Sequence, residues 1–176
     1  MKRTLLLLAL SLCSCTAEKL DGGSTDGAKS AIGADIADAP LSGTIAAKPF
    51  EAKTFEIYLD ERSGKWMLSI DNYEGNCGSF KNPPPSEEAM TVSFVGLEPA
   101  AGATTVEQPN RYATLQLGVY LSTSNQKPDT RDADGIVVLD AWDATAGAEI
   151  TGKLKLVADE ESAVEGTFTA KVCPAR

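Results

Sequence analysis

The absence of histidine is the first limit on the chemistry of this chain. None of its 176 residues is a histidine, which excludes Ser-His-Asp and Cys-His nucleophile pairs and histidine-ligated metals. Acidic residues number 25 against 16 Lys and Arg, and the formal net charge is −9. Because such a surface repels phosphate backbones, we expect no nucleic-acid partner.

An aspartate-rich stretch, residues 130–135, is the candidate for a metal site. Calcium loops need oxygen ligands at alternate positions, a glycine at the sharp turn and a bidentate glutamate at the twelfth position. Aligned on Gly135, the loop begins at Thr130 and its twelfth residue is Ala141, so two anchors are missing. The candidate ligands are Asp129, Asp132 and Asp134. An Asp-Gly turn in a solvated loop is the favoured interpretation, and we expect no metal and no cofactor.

Two further patterns are weak evidence for catalysis. Ser124 and Lys127 have the Ser-x-x-Lys spacing of penicillin-recognising enzymes, but they lie in a polar loop without the partner motifs. Acidic pairs such as Asp60-Glu61 fall in predicted turns. A glycosidase needs two carboxylates across a cleft, one of them buried. We therefore predict a non-catalytic domain and rank a hydrolase last.

Aromatic side chains form the candidate contact surface. Tyr112, Gln116 and Tyr120 share the polar face of one predicted strand, and Trp142 ends the next. Exposed rings can stack on sugars or anchor a protein partner. Packing under a loop or against a neighbouring strand is the alternative. The partner classes that fit this face are an envelope protein and a glycan.

The N-terminus has the pattern of a targeting segment. A basic start, Lys2-Arg3, precedes an apolar stretch over residues 4–12, which is too short for the ~20 residues that span a bilayer. These features predict a secretory signal peptide. The following Leu12-Cys13-Ser14-Cys15 resembles the lipobox of bacterial lipoproteins. The alternative frame, ending at Cys13, places a bulky leucine directly before the cysteine and fits less well.

The resemblance implies cleavage before Cys15, a lipid on its sulfur and a membrane-anchored location in the cell envelope. Thr16 is not the aspartate that commonly retains such proteins in the inner membrane, which favours the outer membrane of a Gram-negative bacterium. Cleavage removes Cys13 and commits Cys15. Cys77 and Cys173 then remain as one pair in an oxidising compartment, and we predict that they form a disulfide.

The elements that position these residues are predicted to be strands. From residue 41 onward apolar and polar residues alternate with period two, and Gly- and Asp-containing turns, including Asp134-Gly135, separate the runs. The clearest runs are 54–60, 65–71, 89–94, 112–121, 149–158 and 164–172, with less clear strands at 41–46, 103–106 and 136–141. The prediction is an all-β fold of about eight antiparallel strands, either a β-sandwich or a small up-and-down barrel.

The chain is predicted to have three parts. Residues 1–14 are the signal peptide, 15–40 a disordered, lipid-anchored linker rich in glycine and serine, and 41–176 the all-β domain. The expected function is a lipid-anchored envelope protein whose domain binds a partner or has a structural role. The runner-up is a small barrel that holds an apolar ligand.

Overall fold

A computed structural model of the chain describes residues 35–77, 88–106, 110–118 and 127–176. These ranges contain ten strands and no helix, in agreement with the all-β prediction. The strands are β1 (Ser42–Ile45), β2 (Lys48–Glu51), β3 (Thr54–Asp60), β4 (Lys65–Asp71), β5 (Met90–Leu97), β6 (Gly102–Thr105), β7 (Tyr112–Leu117), β8 (Asp129–Leu139), β9 (Glu149–Asp159) and β10 (Ser162–Val172).

Seven of the strands are paired in a closed ring. The order runs β10-β3-β4-β5-β7-β8-β9 and returns to β10. Outside the ring, β1 pairs with β10, β2 with β1, and β6 with β8. All these pairs are antiparallel except β3 and β10, which run parallel. The prediction of a wholly antiparallel sheet is therefore wrong at this pair, because alternation defines the faces of a strand and not the direction of its neighbour.

The inward faces of the ring strands carry the core. Ile57, Leu68, Ile70, Phe94 and Leu115 are at most 1% exposed. Each lies on the apolar face that its alternating segment predicts, because successive side chains point to opposite sides of a strand. Burying each of these side chains contributes about 1.5–3 kcal/mol by transfer from water, which explains why the pattern determines the strand faces.

An ionic cluster lies at one end of the ring. Arg131 is opposite the buried Leu115 in the β7–β8 register, so its side chain is on the inward face near the start of β8. Its guanidinium contacts Asp129 at 3.2 Å, Asp159 at 2.9 Å and Glu161 at 3.4 Å. The cluster ties the beginning of β8 to the turn between β9 and β10.

An aromatic pair lies at the opposite end. Trp66, near the start of β4, is opposite Leu59 and Leu97 and faces inward. Its ring contacts that of Trp142 edge-to-face, with centroids 4.9 Å apart. Both indoles are partly buried against the core. Trp66 therefore packs against the core from the inward face of β4.

The predicted turn at Asp134-Gly135 is wrong, since both residues lie inside β8. Gly135 has φ +147°, and a Cβ there would be 2.0 Å from the carbonyl oxygen of Lys155 on β9. The glycine allows two backbones to approach closely, which is its other common role within a strand.

Strand β2 was not predicted. It follows β1 through Ala46 and Ala47, whose φ angles are 51° and 61°. Hairpin turns with positive φ are usually marked by Asn-Gly or Asp-Gly, and this one has no such signal. β2 is an outer strand that contains Pro49, and edge positions are where strands tolerate proline.

Contacts with the domain begin before residue 41, the predicted domain boundary. Ile36 is 4% exposed. Asp38 forms an ion pair with Lys153 at 3.2 Å, and Ala39 accepts a hydrogen bond from the Thr167 amide. The last residues of the predicted linker therefore pack on the domain. The rest of the predicted linker, and the predicted signal peptide, lie outside the described residues.

Candidate functional site

The cysteines of the domain form the predicted disulfide. Cys77 and Cys173 are bonded, with their Cα atoms 5.1 Å apart. The bridge joins the segment after β4 to the residue that follows β10. The Cys173 amide also donates to the Ile57 carbonyl at 2.7 Å, which continues the parallel pairing beyond the end of β10.

A buried carboxylate lies beside this disulfide. Glu56 is 2% exposed, although alternation places it on the outward face of β3. Its Oε2 is 3.2 Å from Nη2 of Arg176, whose guanidinium lies 4.5 Å from the centroid of the Tyr58 ring. Glu56 and the two sulfurs lie within 4.8 Å of one another. Because the ligand form of cysteine is the thiolate, sulfurs joined in a disulfide cannot bind a metal in that form, and we assign the cluster a structural role.

No local sequence pattern indicates this cluster. Alternation indicates that Glu56 faces solvent, and it cannot show that residues from the end of the chain cover it. A carboxylate facing a cysteine and an arginine more than a hundred residues away was not predictable from local pattern.

Two of the four residues of the predicted contact face lie together on the outside of β7. Tyr112 is 39% exposed on the outward face of β7, and Gln116 lies on the same face. Gln116 is held in place, since its Nε2 donates to the Gly118 carbonyl at 2.7 Å and its Oε1 accepts from Thr130 Oγ1 at 3.3 Å. Tyr120 lies outside the described residues. Trp142 does not join this face, because it packs on Trp66 at the end of the ring.

The calcium candidates lie on a strand and not in a loop. Asp129 is two residues before Arg131 and forms an ion pair with it. Asp132 and Asp134 are exposed and have the opposite parity on β8, so alternation directs them to the other face from Asp129. The structure therefore does not bring these three carboxylates together.

Electrostatic interactions at Arg131 shift two pKa values. Hydrogen bonding and charge from Asp129, and then from Asp159, raise the pKa of Arg131 against the opposing effect of burial. For Asp159, burial acts to raise the pKa, but the Glu161 amide and the Arg131 guanidinium together lower it. Both groups therefore remain charged at neutral pH, as an ion pair requires.

A cleft opens in the wall of the ring where β10 passes from β1 to β3. We call it the side cleft; its volume is about 560 Å³. Its inner part is apolar and includes the rings of Phe55 and Phe168, which are stacked with centroids 6.4 Å apart. Its rim is polar. The lining residues are Asp38, Pro40, Leu41, Ala52, Phe55, Asp140, Thr151, Gly152, Lys153, Thr167, Phe168 and Thr169.

Comparison with known proteins gives no assignment. No family model, curated protein or solved structure matches the chain at a significant level. Within the described ranges, no helix is long and apolar enough to cross a membrane.

Proposed function

We propose that this chain is a lipid-anchored cell-envelope protein with a non-catalytic β domain that binds an envelope protein or a glycan. The anchor is a lipid on Cys15, attached after removal of residues 1–14, and the location is the outer membrane of a Gram-negative bacterium. A flexible linker of about 20 residues would give the domain a reach of roughly 25 Å from the lipid surface.

The disulfide is the observation that carries this proposal. Cleavage before Cys15 leaves three cysteines, and the bond between Cys77 and Cys173 uses two of them. Cys15 is then the cysteine without a disulfide partner, as a lipid-modified N-terminal residue must be. The cleavage frame ending at Cys13 would instead leave Cys15 as an odd thiol in an oxidising compartment.

The filled interior of the ring favours binding on the outer surface and argues against a ligand held inside the barrel. Phe94, Leu115, Leu154 and Leu156 are 0% exposed and belong to one continuous core. We therefore favour a barrel filled by its own side chains over a sandwich or a hollow barrel. In such a fold the contact surfaces are outward, and the face of Tyr112 and Gln116 is the first candidate.

The buried carboxylates support a non-catalytic role. Glu56 forms an ion pair with Arg176, and Oδ1 of Asp71, a residue that is 1% exposed, accepts a hydrogen bond from Thr91 Oγ1 at 2.7 Å. Both carboxylates are therefore engaged by other side chains of the fold, and we assign them structural roles.

The anchor is tested by the mass of the N-terminal peptide from the protein purified from bacterial membranes. We expect a diacyl- or triacyl-modified Cys15, because several acyl chains at ~0.8 kcal/mol per buried methylene make attachment effectively irreversible. A Cys15→Ser variant should lose the lipid, and the matched Cys13→Ser variant should keep it. An unmodified Cys15, or a lipid on Cys13, would contradict the proposal.

The contact face is tested by crosslinked capture from intact envelopes with the anchored protein. Tyr112→Ala should reduce recovery of the bound protein or glycan at least tenfold, since exposed tyrosines supply large contact area. Asp132→Ala, on the same outward face of neighbouring β8, is the control for general surface change. Equal recovery by both folded variants would remove Tyr112 from the binding surface.

A further inference from the structure

The side cleft contains an unpaired stretch of strand edge. β10 presents one edge to two neighbours, β1 at Ala163–Glu165 and β3 from Lys171 onward. Thr167 exchanges backbone hydrogen bonds with Ala39 and Leu41 on this edge. Thr169 lies between the two neighbours, and the pairing of the described residues assigns it no partner there.

The direction of the Thr169 backbone follows from its parity. The N–H and C=O groups of a strand residue point to the same edge, and alternate residues share that edge. Thr167 and Cys173 both bond toward the β1 and β3 side. Thr169 has the same parity, so its amide and carbonyl point into the side cleft. Its own side chain is exposed.

The cleft beneath this edge has an apolar inner part and a rim with a net negative charge. Phe55, Phe168 and Leu41 form its inner part. On the rim, Asp38 is neutralised by Lys153 at 3.2 Å, whereas the exposed Asp140 accepts a hydrogen bond from the neutral Thr151 hydroxyl at 2.7 Å. A basic side chain of a ligand would find a carboxylate at Asp140, and the chain's net charge of −9 favours approach of cations.

We propose that the side cleft binds an extended peptide segment of a partner protein in which apolar and basic residues alternate. The backbone of the segment pairs with the amide and carbonyl of Thr169, as strand addition to a sheet edge does. One apolar side chain packs against the stacked rings of Phe55 and Phe168, and a neighbouring lysine or arginine contacts Asp140. The volume of about 560 Å³ lies in the range of known ligand sites. This inference rests on the proposed binding function and names a second surface for it.

The test uses the processed full-length protein, labelled with ¹⁵N, and the peptide acetyl-Lys-Val-Lys-Leu-Lys-amide. Saturable shifts of the Thr169, Phe55 and Thr151 amide resonances are expected. The same peptide with glutamate in place of lysine, and a peptide N-methylated at its central residue, should each bind at least tenfold more weakly. The first change removes charge complementarity and the second removes the backbone donor.

Protein variants locate the site. Ala52→Trp should block the cleft and abolish the shifts, and Asp140→Asn should weaken binding severalfold while keeping an acceptor for Thr151. Asp134→Asn removes the same charge from the outward face of β8, away from the cleft, and should bind as the parent does. Near-ultraviolet circular dichroism confirms that each variant is folded.

Each opposing outcome overturns the inference. Equal binding of the acidic peptide excludes charge recognition, and equal binding of the N-methylated peptide shows that the cleft takes side chains without strand addition. Concentration-dependent shifts at Thr169 without peptide identify a second copy of this chain as the occupant. No saturable shifts with the basic peptide refutes the inference, while lipid on Cys15 and capture through Tyr112 would leave the proposed function intact.

Discussion

Loss of the Cys77–Cys173 disulfide is expected to remove a large part of the stability of the domain. The bonded residues are 96 positions apart. In the chain-entropy model, cross-linking a loop of this size lowers the entropy of the unfolded chain by an amount equivalent to about 4.7 kcal/mol at 25 °C, and measured losses on removal are about 2–5 kcal/mol. Whole domains are stable by about 5–15 kcal/mol, so the loss is a substantial fraction of the total.

The native contacts around the bridge indicate that the variant still folds. The segment after β4 is also held by the Thr54 hydroxyl, which donates to the Tyr73 carbonyl at 2.6 Å, and the chain end by the Arg176–Glu56 ion pair. The effect should therefore fall mainly on the unfolded state. The double variant Cys77→Ala, Cys173→Ala should keep the circular dichroism spectrum of the parent at neutral pH.

The assay is urea unfolding followed by tryptophan fluorescence. With an m-value of about 2 kcal/mol per molar urea, the midpoint of the double variant should lie about 1–2.5 M below that of the parent. The parent with its disulfide reduced should match the variant, which controls for the lost side-chain packing. A difference in unfolding free energy below about 1 kcal/mol, or two free thiols titrated in the native parent, would refute the reasoning.

Three further predictions concern the ring. Leu154→Ala should destabilise the domain by about 2–5 kcal/mol in the same urea assay, because it opens a cavity in a fully buried site; a loss below about 1 kcal/mol would show that the interior is loosely packed. Gly135→Ala should cost at least about 2 kcal/mol, through its positive φ and the clash with the Lys155 carbonyl, and an unchanged midpoint would contradict the β8–β9 register. Asp159→Asn should make the free energy of unfolding less dependent on pH in the acid range. Because the pKa of Asp159 is lowered, its ion pair with Arg131 stabilises the fold above the usual aspartate pKa of about 3.9, and this contribution is lost as the pH falls through the lowered pKa. An unchanged midpoint of acid unfolding would show that the pair contributes nothing.

Alternation predicted the strands whose two faces have different surroundings. β4, β9 and β10 each have one buried and one wetter face over most of their length, and the bounds of these strands and of β3 agree with the predicted runs to within about two residues. The disulfide was also predictable, since the predicted β domain, residues 41–176, contains two cysteines, Cys77 and Cys173. Both inferences follow from residue types and their positions in the sequence. Neither requires knowing which distant residues contact one another in the fold.

Features that depend on a distant neighbour were not predictable. Gly135 looked like a turn because Asp-Gly usually marks one, and only the approach of Lys155 shows its role. Alternation indicated that Glu56 is exposed, and it could not show that Arg176, 120 positions away, contacts it. The parallel pair had no signal because strand direction is set by the path of the connections. In each case the deciding contact is made by residues far along the chain.

The position of β10 explains why the ring closes and why its wall has a cleft. β10 is an eleven-residue strand whose one edge is paired with β9 along nearly its whole length, while its other edge is shared by two shorter neighbours. β1 pairs near its beginning and β3 near its end, so closure of the ring depends on the short parallel pair at Lys171 and Val172. The disulfide follows this pair directly at Cys173 and cross-links the chain where the ring closes. Among the described residues, the same division of one edge between two strands leaves Thr169 without a partner on the side of β1 and β3, although it pairs with Thr151 of β9 on the other side. The edge that the disulfide reinforces is therefore also the surface that an added strand would complete.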